Sequence, residues 1–161
     1  MNFEKPLEEN AAVDYKRLKV NSPAFEENEM IPKKYTCDGQ NINPPLNIEN
    51  IPPEAKSLAI IVDDPDAPNG SFCHWVVWNI PVTHHIVEIE SRGKAGRNDY
   101  GRHQYNGPCP PSGTHRYNFM VYALDTTLDV PGSSDKKQIQ KLISNHIVAL
   151  GIITGKYKLQ E

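Results

Sequence analysis

Asp64, His74, Cys109, His115 and Tyr117 have the side-chain types of a small polar site. Two imidazoles, a phenol and a carboxylate can donate, accept or relay protons near neutral pH. Cys109, His115 and Tyr117 lie in or beside a stiff stretch, Asn106-Gly-Pro-Cys-Pro-Pro-Ser-Gly-Thr-His-Arg-Tyr117. Pro108, Pro110 and Pro111 fix their own φ and carry no amide donor. The loop can therefore present its carbonyls and remaining amides, that of Cys109 among them, with little entropy left to lose on binding. Such a loop suits the rim of a ligand pocket. Two other chemistries fit less well. Asp64, His74, His103, Cys109 and His115 are metal-ligand types, but no pair has a zinc-binding spacing such as His-x3-His or Cys-x2-Cys. Cys109, His115 and Asp64 could be drawn as a nucleophilic triad, yet no helix N-terminus stands behind Cys109 to lower its pKa. Pro108 and Pro110 also withhold two amides that an oxyanion hole would use. No catalytic constellation, metal site or cofactor is expected.

The elements that must position these residues are strands. Leu58-Ala-Ile-Ile-Val62, His74-Trp-Val-Val-Trp-Asn-Ile80 and Tyr117-Asn-Phe-Met-Val-Tyr-Ala-Leu124 are short, β-branched or aromatic, and bounded by Pro, Gly, Asn or Asp. Leu58–Val62 is apolar at every position, so both of its faces should be covered. Alternation puts His115 and Tyr117 on one face and turns Arg116 away, towards an acid such as Asp66; it also carries the Leu58, Ile60, Val62 face on to Asp64. Of the 14 prolines, six lie between Pro44 and Pro68. Long proline-bearing connections favour a Greek-key arrangement over tight hairpins. One helix is expected over about 134–146, opened by Ser133-Ser134-Asp135 and carrying Ile139, Leu142 and Ile143 at helical spacing. Asp135-Lys136-Lys137 reads as a solvated helix face. A closing strand follows, kinked at Gly151 and Gly155. Together these predict a mainly β fold, an antiparallel Greek-key β-sandwich with one or two short helices.

The chain has 161 residues and a formal charge of −3, with no basic stripe to attract nucleic acid and no run of signal-peptide or membrane-span character. Residues 1–16 are polar and read as a flexible or loosely docked lead-in, and 17–161 as a single domain. A cytoplasmic location is expected. Cys37, Cys73 and Cys109 are odd in number, which fits a reducing compartment better than a disulfide framework.

Several motifs resemble the phosphatidylethanolamine-binding protein family, also called the Raf kinase inhibitor family. They are Asp64-Pro-Asp-Ala-Pro68, His74-Trp-Val-Val-Trp-Asn79 and Gly107-Pro-Cys-Pro-Pro-Ser-Gly-Thr-His-Arg-Tyr117. Ser22-Pro-Ala-Phe25, Ile31-Pro-Lys-Lys-Tyr-Thr-Cys-Asp-Gly39, Asn43-Pro-Pro-Leu46 and Leu150–Tyr157 are similar to its short prokaryotic branch. The resemblance implies a Greek-key sandwich whose surface pocket binds phosphate-like anions, including phospholipid headgroups. It places that pocket on Asp64, Pro68, His74, Cys109, Pro111, His115 and Tyr117. By the same resemblance the protein is a non-enzymatic binder, and a homodimer is expected. The alternative is a kinase or protease inhibitor that docks on its partner near the pocket.

In the pocket reading Asp64 accepts a hydrogen bond from His74 and favours its imidazolium form, so anions bind more tightly below about pH 6.5, where an ordinary His gains charge. Other roles stay open for these residues. His74 could be satisfied by a carbonyl, Asp64 could form an Asx-turn before Pro65, and Tyr117 could cap the core. Cys109 could be a small buried hydrophobe, Trp75 and Trp78 could be core, and Pro68 could be cis.

Overall fold

The computed structural model describes residues 15–159. Residues 1–14 of the expected lead-in lie outside the described residues, whereas Lys16 already belongs to the first strand. Among the described residues nine strands run in chain order: β1 (Lys16–Arg17), β2 (Lys19–Asn21), β3 (Leu46–Glu49), β4 (Ser57–Asp64), β5 (Phe72–Ile80), β6 (His85–Ile86), β7 (Lys94–Ala95), β8 (Thr114–Leu124) and β9 (Ile147–Lys158). Among the described residues one α-helix, α1 (Lys136–Ile143), precedes β9. A six-stranded sheet has the order β1-β9-β8-β4-β5-β7, and a three-stranded sheet the order β2-β3-β6. Within the large sheet β8-β4-β5-β7 is the Greek-key order: the chain leaves β7 at one edge and returns through residues 96–113 to lie beside β4. That return segment carries the proline-rich loop. No helix among the described residues is long and apolar enough to cross a membrane.

Every residue of β4 is buried. Leu58, Ile60 and Val62 join Phe119, Val121, Leu46, Ile48 and Ile86 between the sheets. Ala59 and Ile61 face the other way, with Trp78, Met120 and Tyr122, under Ile139 and Ile143 of α1. The unbroken apolar run thus has the two covered faces it called for, and Trp75 and Trp78 are core residues. Asp135 caps α1: its carboxylate accepts from Gln138 N while the Gln138 side chain accepts from Asp135 N, satisfying two donors that the first turn leaves open. The helix is shorter than 134–146, ending at Ile143, and Leu142 faces solvent.

A further expectation is corrected here. Lys136 is not on a solvated face. It lies buried at the start of α1 and donates to Asp63 Oδ2 at 2.9 Å, beneath a strand whose Asp63 is 0% exposed. Burial raises the Asp63 carboxyl to about 6 against the opposing pull of Lys136. The closing strand β9 runs through both glycines, paired with β8 at each. A Cβ at Gly151 would come within 2.5 Å of Leu18 O, and one at Gly155 within 2.5 Å of Ile31 Cγ1, so the first makes room for the segment Leu18–Val20 and the second for Ile31 and Phe25.

Candidate functional site

Antiparallel register gathers the polar residues at one end of the large sheet. Asp63 pairs with Asn118 across β4 and β8, and Asp64 with Phe72 across β4 and β5. His115 and Tyr117 of β8 therefore come beside Asp64 at the end of β4, with His74 of β5 close by. The turn after β4 adds Ala67 and Pro68, and the proline-rich loop adds Cys109 and Pro111. These residues, with Phe72 and Tyr100, line a cavity of about 210 Å³. All seven positions picked out from the sequence share this cavity.

Asp64 is the organising group. Its Oδ2 accepts from His115 Nδ1 at 2.6 Å and its Oδ1 from Asp66 N at 2.8 Å, so it forms the Asx-turn before Pro65 and orients an imidazole at the same time. The expected partner was His74, which instead donates Nδ1 to Asn106 O at 2.7 Å, while Asn106 N returns a bond to His74 O at 3.0 Å. The loop backbone claims the His74 ring, and the β8 register hands Asp64 to His115. Burial depresses the His74 pKa, outweighing the Asn106 carbonyl and the Asp64 charge that favour the cation; the residue is 3% exposed. The expectation of an imidazolium held at His74 by Asp64 is thereby corrected. Arg116 faces outward and grips Asp66 through Nε and Nη2 at 2.9 and 2.8 Å, as alternation requires. The Ala67–Pro68 bond is trans.

Tyr117 is 0% exposed, and no group meets its hydroxyl with hydrogen-bond geometry. Asp64 and the Cys109 backbone lie near enough to influence it, and burial, reinforced by the Asp64 charge, holds the phenol far above its ordinary pKa. His74 packs edge-on against Tyr117 at 5.3 Å between centroids and against Phe72 at 5.4 Å. Tyr100, 45% exposed, stands edge-on to both Phe72 and His74 at the mouth. Sequence reasoning missed Phe72 and Tyr100, and also Asn98. Asn98 donates Nδ2 to Gln104 O and Asn106 Oδ1 at 2.8 and 2.7 Å, and accepts from Tyr100 N and Arg102 N. It holds the return segment in shape. Phe72 was within reach of the alternation argument, being two residues before His74 on the same face; nothing local marks Tyr100 or Asn98.

Cys109 is disulfide-bonded to Cys37, and Cys73 is the buried free thiol. This overturns the reading of three reduced cysteines. An odd count says nothing about which loops meet, and here Cys37 N donates to Pro108 O, bringing the two segments together. Gly107 is needed in the same place. A Cβ there would collide with the Tyr35 carbonyl and lie 2.8 Å from Asn41 Oδ1 and Thr36 Cα. Gly107→Ala is expected to cost about 1–3 kcal/mol by overpacking, measured by urea unfolding; an unchanged midpoint would show that the loop gives way freely. No group of three His, Cys, Asp or Glu among the described residues is disposed to hold a metal ion.

Comparison with known proteins agrees with this architecture. The family profile named Phosphatidylethanolamine-binding protein matches residues 21–158. The chain belongs to this family. A UPF0098 protein of Pyrococcus horikoshii is 50% identical over 152 residues, 88% of this chain and 76% of that protein. The crystal structure of a Chlamydia trachomatis protein reported as a PEBP homologue matches with TM-score 0.86 at 38% identity, covering 90% of this chain and 99% of that one. YbcL of E. coli, reported as a new member of the mammalian PEBP family, matches with TM-score 0.82 at 29% identity, covering 89% and 99%. The mainly β fold with two sheets and one helix is therefore that of these PEBP members.

Proposed function

We propose that this protein binds phosphate-like anions, phospholipid headgroups among them, in the cavity between His74, His115 and Tyr117. The observation that carries the reading is the cavity itself, which brings two imidazoles to the buried Tyr117 hydroxyl, whose approaches to Asp64 and the Cys109 backbone are poorly aligned. A well-aligned anionic acceptor would improve on those contacts. The two imidazoles support it. Each commits Nδ1 to the protein, His115 to Asp64 and His74 to Asn106, which leaves Nε2 for a ligand. Phe72, Tyr100 and the prolines give an apolar surround that strengthens charged hydrogen bonds and suits the carbon part of a headgroup. The reading is of binding without turnover: the Cys109 sulfur is bonded to Cys37, and Pro108 and Pro110 supply no amides.

Neutral His74, its Nδ1 proton donated to Asn106, presents Nε2 as an acceptor. To donate to an anion it must take up a proton, and burial opposes that. Anion affinity should therefore rise as pH falls, with the rise beginning below the ordinary His range of about 6.5 rather than at it. Sulfate separates this effect from protonation of the ligand. Titrated at pH 5 and pH 7.5 and followed by NMR, sulfate should shift the His74 and Tyr117 signals saturably. Its affinity should climb by up to about tenfold per pH unit where His74 titrates. Absence of shifts at both pH values would remove the anion reading.

A further inference from the structure

We infer that the Cys37–Cys109 bridge is a thiol–disulfide exchange site that controls the cavity, so that a dithiol reductant weakens anion binding without unfolding the protein. This rests on the anion reading above. Cys109 is both half of the bridge and part of the cavity wall. Both cysteines are exposed, which makes the bridge accessible to a small thiol. The remaining cysteine cannot compete in exchange: Cys73 is buried in the second core cluster, with Ala59, Trp78 and Met120.

The two sides of the bridge are held unequally. On the Cys37 side, Thr36 N bonds Lys33 O, Gly39 N bonds Thr36 O, and Asp38 accepts from Tyr157 Oη at 2.5 Å. Gly107 and Pro108 are anchored as well, through Gly107 N to Asn41 Oδ1 and Cys37 N to Pro108 O. Beyond Cys109 no hydrogen bond among the described residues engages 110–112, the stretch that includes the lining residue Pro111. Pro110 is buried, and the bridge is the covalent tether ahead of the exposed residues 111–113 that lead into β8 at Thr114. Its opening loosens residues 111–113 and leaves the strands, and Gly107 with Pro108, in place. The loop then has entropy to lose on binding that the bridged loop does not.

The exchange balances. One thiolate of the dithiol attacks a bridge sulfur, and the other sulfur leaves as thiolate and takes up a proton. The second thiol of the reductant then resolves the mixed disulfide. The protein gains two thiols, and the reductant becomes a disulfide.

The test treats native protein with dithiothreitol, counts thiols colorimetrically, and measures inorganic phosphate affinity and amide hydrogen exchange at Ser112 and Gly113 in both states. Two new reactive thiols should appear in folded protein. Exchange at Ser112 and Gly113 should quicken, and phosphate affinity should fall about fivefold and return on reoxidation. Cys37→Ser, which keeps Cys109 in the wall, should match the reduced protein and ignore reductant. Equal affinity and equal exchange in the two states, or a bridge reduced only on unfolding, overturns the inference. Phosphate binding to neither state overturns the anion reading and with it the control of affinity.

Discussion

Lys136→Met is expected to lower the unfolding free energy by about 3–5 kcal/mol, because it leaves the Asp63 carboxylate buried with no counter-charge. Asp63 is fully enclosed and its Oδ1 already lacks a partner, so Lys136 is the cation its Oδ2 relies on. The double variant Asp63→Val with Lys136→Met removes both charges and should recover most of the loss, since well-packed apolar groups of similar size often equal or exceed a buried ion pair. Urea unfolding of the two single variants and the double gives the coupling. Loss of less than about 1 kcal/mol in Lys136→Met would mean that water reaches Asp63 and the pair is in effect a surface one. The pair also bears on the site, because it ties the first turn of α1 to the residue next to Asp64.

Tyr117→Phe is expected to separate stability from function. The hydroxyl is buried and poorly partnered, so its removal should leave stability unchanged or raise it by about 1 kcal/mol, as loss of an unsatisfied polar group does. The same hydroxyl is the proposed donor to the anion. A hydrogen bond to a charged group contributes about 1.5–3 kcal/mol, so phosphate affinity should fall about 10- to 100-fold. Isothermal titration with phosphate, beside thermal unfolding, reads both. A variant that is less stable but binds normally would make Tyr117 a core residue and nothing more.

Much of this was legible in the residues. The strands announced themselves through β-branched runs ended by Pro, Gly, Asn or Asp. Alternation alone placed His115 beside Tyr117 and sent Arg116 to Asp66. The Greek-key fold class was anticipated, although the crossover runs through 96–113 and not through the connections that carry the six prolines of 44–68. What stayed hidden depends on register and on contacts between distant segments. Asp64 has two histidines within reach, and only the pairing of Asp63 with Asn118 decides for His115. Lys136 sits in a run of charges whose solvated appearance holds for Lys137 but not for the residue that the helix turns towards β4. The meeting of Cys37 with Cys109, 72 residues apart, follows from how the return segment lies against Thr36–Gly39. Tyr100 enters the cavity mouth only because Asn98 folds its loop. Each case is a tertiary contact with no local signature.

The central claim is that the cavity takes a phosphoryl group on Tyr117 and the two histidines, and a crystal structure with phosphoethanolamine tests it most directly. The account predicts a phosphoryl oxygen within about 3 Å of Tyr117 Oη and others facing the Nε2 atoms of His74 and His115. Saturable binding in solution with the phosphoryl group seated elsewhere on the protein, and this cavity empty, would contradict it.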